Sequence, residues 1–281
     1  MKILVETLFL NKIPTLQIVP VDGQHSPVIV FIPGYGGTKE TGLSIGCQLA
    51  RQGFFFMAFD PLYHGQRSDP RLGNSADPDL GSIYPPEMGM DTFYTMNRII
   101  WQCLEDVRSL LKSVEDDGRA DLTSCGVTGL SMGGYASYLV FANLAEMKAA
   151  VPMIGIPNFT RRWKDLLDEC AFSNPDWAQA IENKASETNE RTQFIEQIDP
   201  YSKLKQIAPK ALLMMNCDFD TDQPKHYAID CYRELLPAYQ GNKENLKLNI
   251  YPAGHQVTPE MEDDAAAWFT RHLLGTGRDC L

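Results

Sequence analysis

The sequence has no apolar run approaching the roughly 20 residues that a membrane-crossing helix needs, so no membrane span is expected. It also has no Cys-x-x-Cys pair, no clustered Cys/His set, no H-E-x-x-H, no P-loop and no G-x-G-x-x-G. Those absences remove the usual signatures of zinc, nucleotide and dinucleotide sites. Positive charge is scarce: 25 Lys and Arg stand against 36 Asp and Glu, for a net charge of −11. Such a surface repels phosphate backbones and anionic membranes alike, so neither nucleic acid nor membrane is expected as a partner. There is no internal repeat and no low-complexity tract. The stretch Met1 to Leu10 is apolar but short and is interrupted by Glu6, without the longer apolar core and small-residue cleavage site of a signal peptide. The seven cysteines are odd in number, and several lie in apolar helix or strand patterns, where a thiol behaves as a small hydrophobe. They read as reduced, and a cytoplasmic location is expected.

What is present is an alternation of apolar runs and helical patterns. Lys2–Leu10 and Thr15–Val19 read as two strands joined near Asn11-Lys12. This apolar hairpin is the one hint of a homo-oligomer, since it can form a sheet edge or pair across a dimer. Val28–Ile32, Phe54–Phe59, Cys125–Thr128, Ala149–Met153, Lys210–Met215 and Leu246–Tyr251 are short apolar runs of the kind buried on both faces of a sheet. Between them, helices are predicted over Lys39–Gln52 (with Thr38 as cap), Asp91–Val114, Met132–Ala145, Lys225–Gln240 and Pro259–Leu274. This order predicts an α/β fold: one mostly parallel central sheet with helices on both faces, in a single domain over residues 1–281. Two stretches break the alternation, 60–90 and 157–200. The second is polar, carries Trp163 and Trp177, and reads as a small helical cap inserted in the domain.

The strongest local pattern is Gly129-Leu130-Ser131-Met132-Gly133, a G-x-S-x-G placed between an apolar strand and a helix. A serine on so sharp a turn needs neighbours without bulk, which the glycines provide. The helix start behind it favours developing negative charge. A glycine-rich helix start with a capping serine is the plain alternative. A serine nucleophile needs a base. Of the five histidines, His255 lies just after the last predicted strand, where open α/β sheets place their sites. His226 and His272 fall in predicted helices, His25 in a turn and His64 in the first irregular stretch. The base needs an acid to orient it. Asp218, Asp220 and Asp222 share one loop after Lys210–Met215, and position alone leaves all three open.

The serine, acid loop and histidine loop, in that order, resemble the α/β-hydrolase family. There the acid loop runs G-x-x-D-x-x-V-P. Here Cys217-Asp218-Phe219-Asp220-Thr221-Asp222-Gln223-Pro224 is similar, with Cys217 for the glycine and Gln223 for the valine, and the resemblance implies Asp220 as the acid. Phe31-Ile32-Pro33-Gly34-Tyr35-Gly36-Gly37 is similar to the family's H-G-x-G segment, with Pro33 for histidine. It implies an oxyanion hole made by the backbone N–H groups of Tyr35 and Met132. Asp60-Pro61-Leu62-Tyr63-His64-Gly65-Gln66-Arg67-Ser68 resembles a stretch of small bacterial esterases related to prolyl oligopeptidases, where His64 shapes a loop and is not the base.

The resemblance implies a serine hydrolase, a carboxylesterase acting on a small or medium ester through an acyl-enzyme, with Ser131, Asp220 and His255 as catalytic residues and no metal or organic cofactor. A peptidase of the prolyl-oligopeptidase type, an amidase or a thioesterase is the alternative. A non-catalytic binding protein on the same scaffold is the alternative of a different class. Phe159, Trp163, Phe172 and Trp177 are candidates to line an acyl pocket under the cap, or else to pack a small core of their own.

Overall fold

The structure, a computed structural model, describes residues 1–23, 25–68, 86–173 and 185–274. Eight strands form one sheet: β1 (Ile3–Leu10), β2 (Ile13–Pro20), β3 (Ser26–Ile32), β4 (Phe55–Phe59), β5 (Ala120–Leu130), β6 (Met147–Met153), β7 (Ala211–Cys217) and β8 (Leu246–Tyr251). Their spatial order is β1-β2-β4-β3-β5-β6-β7-β8. β1 runs antiparallel to β2, β2 runs antiparallel to β4, and every other pairing is parallel. All the strands expected from the sequence are present. The hairpin turns at Asn11 and Lys12, both with positive φ (46° and 69°), as a two-residue turn between twisted strands requires. β1 forms the outer edge and leaves Leu4, Val5 and Phe9 exposed.

The helices are α1 (Leu43–Arg51), α2 (Pro86–Ser113), α3 (Met132–Asn143), α4 (Phe159–Ser173), α5 (Ala185–Ile198), α6 (Tyr201–Leu204), α7 (His226–Leu235) and α8 (Pro259–Phe269). Short 3₁₀ turns at Lys39–Gly42 and Leu236–Tyr239 and a π-helical turn at Thr270–Leu274 complete the predicted spans. Thr38 does not cap the first of these through its side chain; its hydroxyl donates to the Glu40 carboxylate instead, at 2.6 Å. α2, α3 and α7 cover one face of the sheet, and α1 and α8 cover the other, each with its own apolar core. Strands buried on both sides explain the uninterrupted apolar runs, which carry no alternation to read.

Within the segment expected to form a cap, α4 and α5 lie between β6 and β7. Two of its aromatics are core residues: Phe159 and Trp163 are buried, Trp163 stacks on Phe93 with ring centroids 5.9 Å apart, and Phe159 meets Tyr135 at 5.4 Å. Of the two roles the sequence left open for them they take the packing one, in the core of the domain and not in a small core of their own. Phe172 is exposed, and Trp177 lies outside the described residues.

The strand order places the site. After β3 the chain crosses by α1 to β4 on one side, and after β4 it returns by α2 to β5 on the other side of β3. The loops leaving β3 and β5 therefore diverge at adjacent strand ends, and such a switch point opens a crevice at the carboxyl edge. Ile32 pairs with Gly129, so the two strands end level, with Pro33-Gly34 beside Leu130-Ser131.

Candidate active site

Ser131 sits on the turn between β5 and α3 with φ 54° and ψ −114°, a conformation that costs a residue with a side chain about 1–3 kcal/mol. Its surroundings hold it there. Its N–H donates to the Met153 carbonyl at 2.9 Å, and its carbonyl accepts the Tyr135 N–H at 3.0 Å. The flanking glycines are required by close backbone approach. A Cβ on Gly133 would stand 1.8 Å from the Ile32 carbonyl oxygen, and one on Gly129 would stand 2.5 Å from that same atom. The crowding thus comes from β3, the strand that also delivers the Pro33–Gly37 loop.

His255 lies in the loop after β8 and reaches both partners. Its Nδ1–H donates to Asp220 Oδ2 at 2.8 Å, and its Nε2 accepts the Ser131 hydroxyl at 3.0 Å. The tautomer follows from the carboxylate, which can only accept. Exposure is graded along the relay: the Asp220 side chain is 0% exposed and that of His255 33%. The other oxygen of Asp220 accepts the backbone N–H groups of Asp222 and Gln223, each at 2.9 Å. Neighbouring acids are occupied differently: Asp218 is exposed and ion-paired with Lys225, while Asp222 meets Asp220 only through its backbone. Of the three acids on this loop, Asp220 is the one whose carboxylate touches the histidine. Two backbone bonds tie the acid loop to the histidine loop, Asp218 N–H to the Tyr251 carbonyl (2.8 Å) and Phe219 N–H to the Ala253 carbonyl (3.0 Å). Cys217, in the strand below, is buried. Burial, and then the charge of Asp220, push its thiol up and disfavour the thiolate.

Met132 is the first residue of α3, where N–H groups precede the intrahelical ladder. Gly34 is close on the other side: a Cβ there would lie 3.6 Å from Ser131 Cβ. Tyr35 follows it, with its ring edge-on to His64 at 5.4 Å between centroids. His64 is 6% exposed, its Nδ1–H donates to the Leu62 carbonyl at 2.8 Å, and burial holds its imidazole below the ordinary histidine range. It braces the turn beside Tyr35. The same segment is anchored by buried Asp60, which accepts Lys39 N–H (2.9 Å), Lys39 Nζ (3.1 Å) and Gln66 N–H (2.9 Å). Arg67 continues it, donating to the Asp60 carbonyl and pairing with Asp106 on α2. This charged anchor had no signal in the sequence beyond the motif itself. Asp220, Asp222 and His255 offer ligand atoms within 4.8 Å of one another. Two of the three are already spent on the relay, so a cation there would compete with the histidine for Asp220.

A model of the prolyl oligopeptidase family matches residues 97–276, which include the serine, the acid and the histidine. The chain belongs to the prolyl oligopeptidase family. As a hydrolase of this family it is similar to a Bacillus subtilis (strain 168) protein named "Putative esterase YitV", 26% identical over 276 residues that span 96% of this chain and 99% of that protein. Its fold is similar to that of TT1662 from Thermus thermophilus (TM-score 0.69, 19% identity, 99% of this chain and 100% of that one). It is also similar to the acylaminoacyl peptidase of Pyrococcus horikoshii (TM-score 0.64, 16% identity), where all of this chain covers 43% of the longer protein. These likenesses establish the α/β-hydrolase fold for this member of the prolyl oligopeptidase family. Among the described residues, no helix is long and apolar enough to cross a membrane.

Proposed function

We propose that this chain is a serine esterase that hydrolyses small or medium carboxylic esters through an acyl-enzyme. The observation that carries the reading is the unbroken relay from buried Asp220 through His255 to the Ser131 hydroxyl. His255 Nε2 takes the hydroxyl proton as Oγ attacks the ester carbonyl carbon. The oxygen that becomes negative is stabilised by the Met132 N–H, assisted by the start of α3, and by the Tyr35 N–H. The imidazolium is stabilised by Asp220 and then protonates the leaving alcohol. Water, deprotonated by His255, attacks the acyl carbonyl; the imidazolium returns that proton to Ser131 Oγ as the acyl–oxygen bond breaks and the acid leaves. No step in this scheme calls on a metal or organic cofactor. Helices α4 and α5 would roof the site as a cap, and the free thiols of the six described cysteines favour the reducing cytoplasm.

A fluorophosphonate probe tests the serine reading. The folded chain is expected to label at Ser131, and Ser131→Ala to lose labelling together with about 10⁴-fold or more of p-nitrophenyl ester turnover. Folded protein that neither labels nor turns over ester would leave a binding role on a hydrolase scaffold. The family match favours peptidase activity as the second reading. Aminoacyl p-nitroanilides assayed beside graded p-nitrophenyl esters separate the two, and turnover of the anilides alone would replace the ester assignment.

A further inference from the structure

The acid loop has one side-chain tie to the nucleophile helix that the catalytic scheme does not use. Tyr135, four residues after Ser131 on α3, is fully buried, and its hydroxyl donates to Gln223 Oε1 at 2.7 Å. The backbone N–H of that same glutamine donates to Asp220 Oδ1 at 2.9 Å. Gln223 thus joins the nucleophile helix to the carboxylate that orients His255, and it stands where the related pattern carries valine, which could accept nothing from a tyrosine. Among the described residues the loop makes no other hydrogen bond to α3. Asp218, Phe219, Thr221 and Asp222 are exposed, Phe219 at 68%. Its backbone bonds to Tyr251 and Ala253 fix it to the histidine loop, not to α3. Burial pushes the Tyr135 hydroxyl well above the ordinary tyrosine range, so it remains a donor wherever the protein is folded.

We infer that Tyr135 and Gln223 are positioning residues that set the distance between Asp220 and the nucleophile helix, closing the third side of the Ser131–His255–Asp220 triangle. Neither touches a reacting atom. The inference rests on the serine-hydrolase reading, and it deepens that reading by adding residues outside the triad. Its physical basis is that oriented groups lose rate steeply when displaced: a shift of about 1 Å can cost about 100-fold.

The test compares Tyr135→Phe, Gln223→Met and the double variant. Each single variant is expected to lower kcat for a p-nitrophenyl ester by about 10- to 100-fold with KM nearly unchanged, because the loss falls on transition-state geometry and not on substrate binding. The double variant is expected to be no slower than the worse single one, since both remove one shared bond. Proton NMR of the His255 Nδ1–H, the proton bonded to Asp220, gives a readout that needs no turnover. That signal is expected in the parent chain and broadened or lost in the variants. An unchanged signal, or rate losses that multiply in the double variant or merely track the melting temperature, would overturn the positioning role. A parent chain that gives the NMR signal but fails to label with the fluorophosphonate would instead sink the serine reading alone.

Discussion

At the scale of single residues, the site separates three chemically equal acids by what surrounds them. Asp218, Asp220 and Asp222 are two residues apart on one loop, yet only Asp220 is buried, receives two backbone N–H groups and meets the imidazole. Under the proposed acyl transfer, a carboxylate so enclosed would stabilise the imidazolium that forms. Asp220→Asn should therefore lower kcat by about 10⁴-fold while leaving the fold intact. Asp222→Asn should change it only a few-fold, because its carboxylate lies within 4.8 Å of the relay but makes no hydrogen bond to it. Steady-state kinetics with circular dichroism melts checks both. Equal losses for the two variants would show that the loop's charge matters and not its geometry. The choice of Asp220 was legible only through likeness to a known acid loop, because spacing treats the three alike. Tyr135 and Gln223 were not legible as a pair. Nothing in a 3.6-residue period says that a tyrosine one turn after the serine faces a loop 88 positions further on.

At the scale of elements, the strand-to-helix turn at Ser131 is legible in the sequence. G-x-S-x-G after an apolar run and before a helix states its own steric condition. The structure adds where the pressure comes from: the Ile32 carbonyl of β3 presses on both Gly129 and Gly133. Gly133→Ala would force a methyl to within 1.8 Å of that oxygen, so it should destabilise the chain by about 3 kcal/mol or more and lower activity with it. Gly241→Ala, where a Cβ meets nothing within 4 Å, is the matched control and should melt like the parent chain. Denaturant unfolding of the two measures the difference. Element boundaries are less legible, that of the strand before Ser131 included. β2 runs from Ile13 to Pro20 and β5 begins at Ala120, both longer than their apolar runs. Strand pairing continues through residues such as Asp121 and Pro20, whose side chains give no strand signal.

At the scale of the whole molecule, stability should depend on pH through imidazoles that folding keeps neutral. Burial holds His64 and His272 below the ordinary value of about 6.5. For His272 the charge of Arg271 adds to the effect. Below that value the unfolded chain binds protons that the folded chain does not. The stability these groups contribute is complete above about pH 6.5 and is lost as the pH falls toward their folded-state values. The melting temperature is thus expected to drop between pH 7.5 and 5.5, and the double variant His64→Gln/His272→Gln should drop less over the same interval. An identical slope in parent and variant would mean that neither imidazole is desolvated in the folded chain.

By itself the sequence determined the alternation of strands and helices, the turn that presents Ser131, and the order of serine, acid loop and histidine loop. All of these follow from local sterics and from the periodicity of burial. Only the tertiary structure decided which aspartate meets His255, that Phe159 and Trp163 serve the core, and that buried Lys39, Asp60 and Asp106 join half-buried Arg67 in a charged anchor beside the Pro33–Gly37 loop. These are contacts between positions distant in the chain. Their energies depend on which surfaces the sheet order brings together, and neither residue type nor local spacing encodes that order.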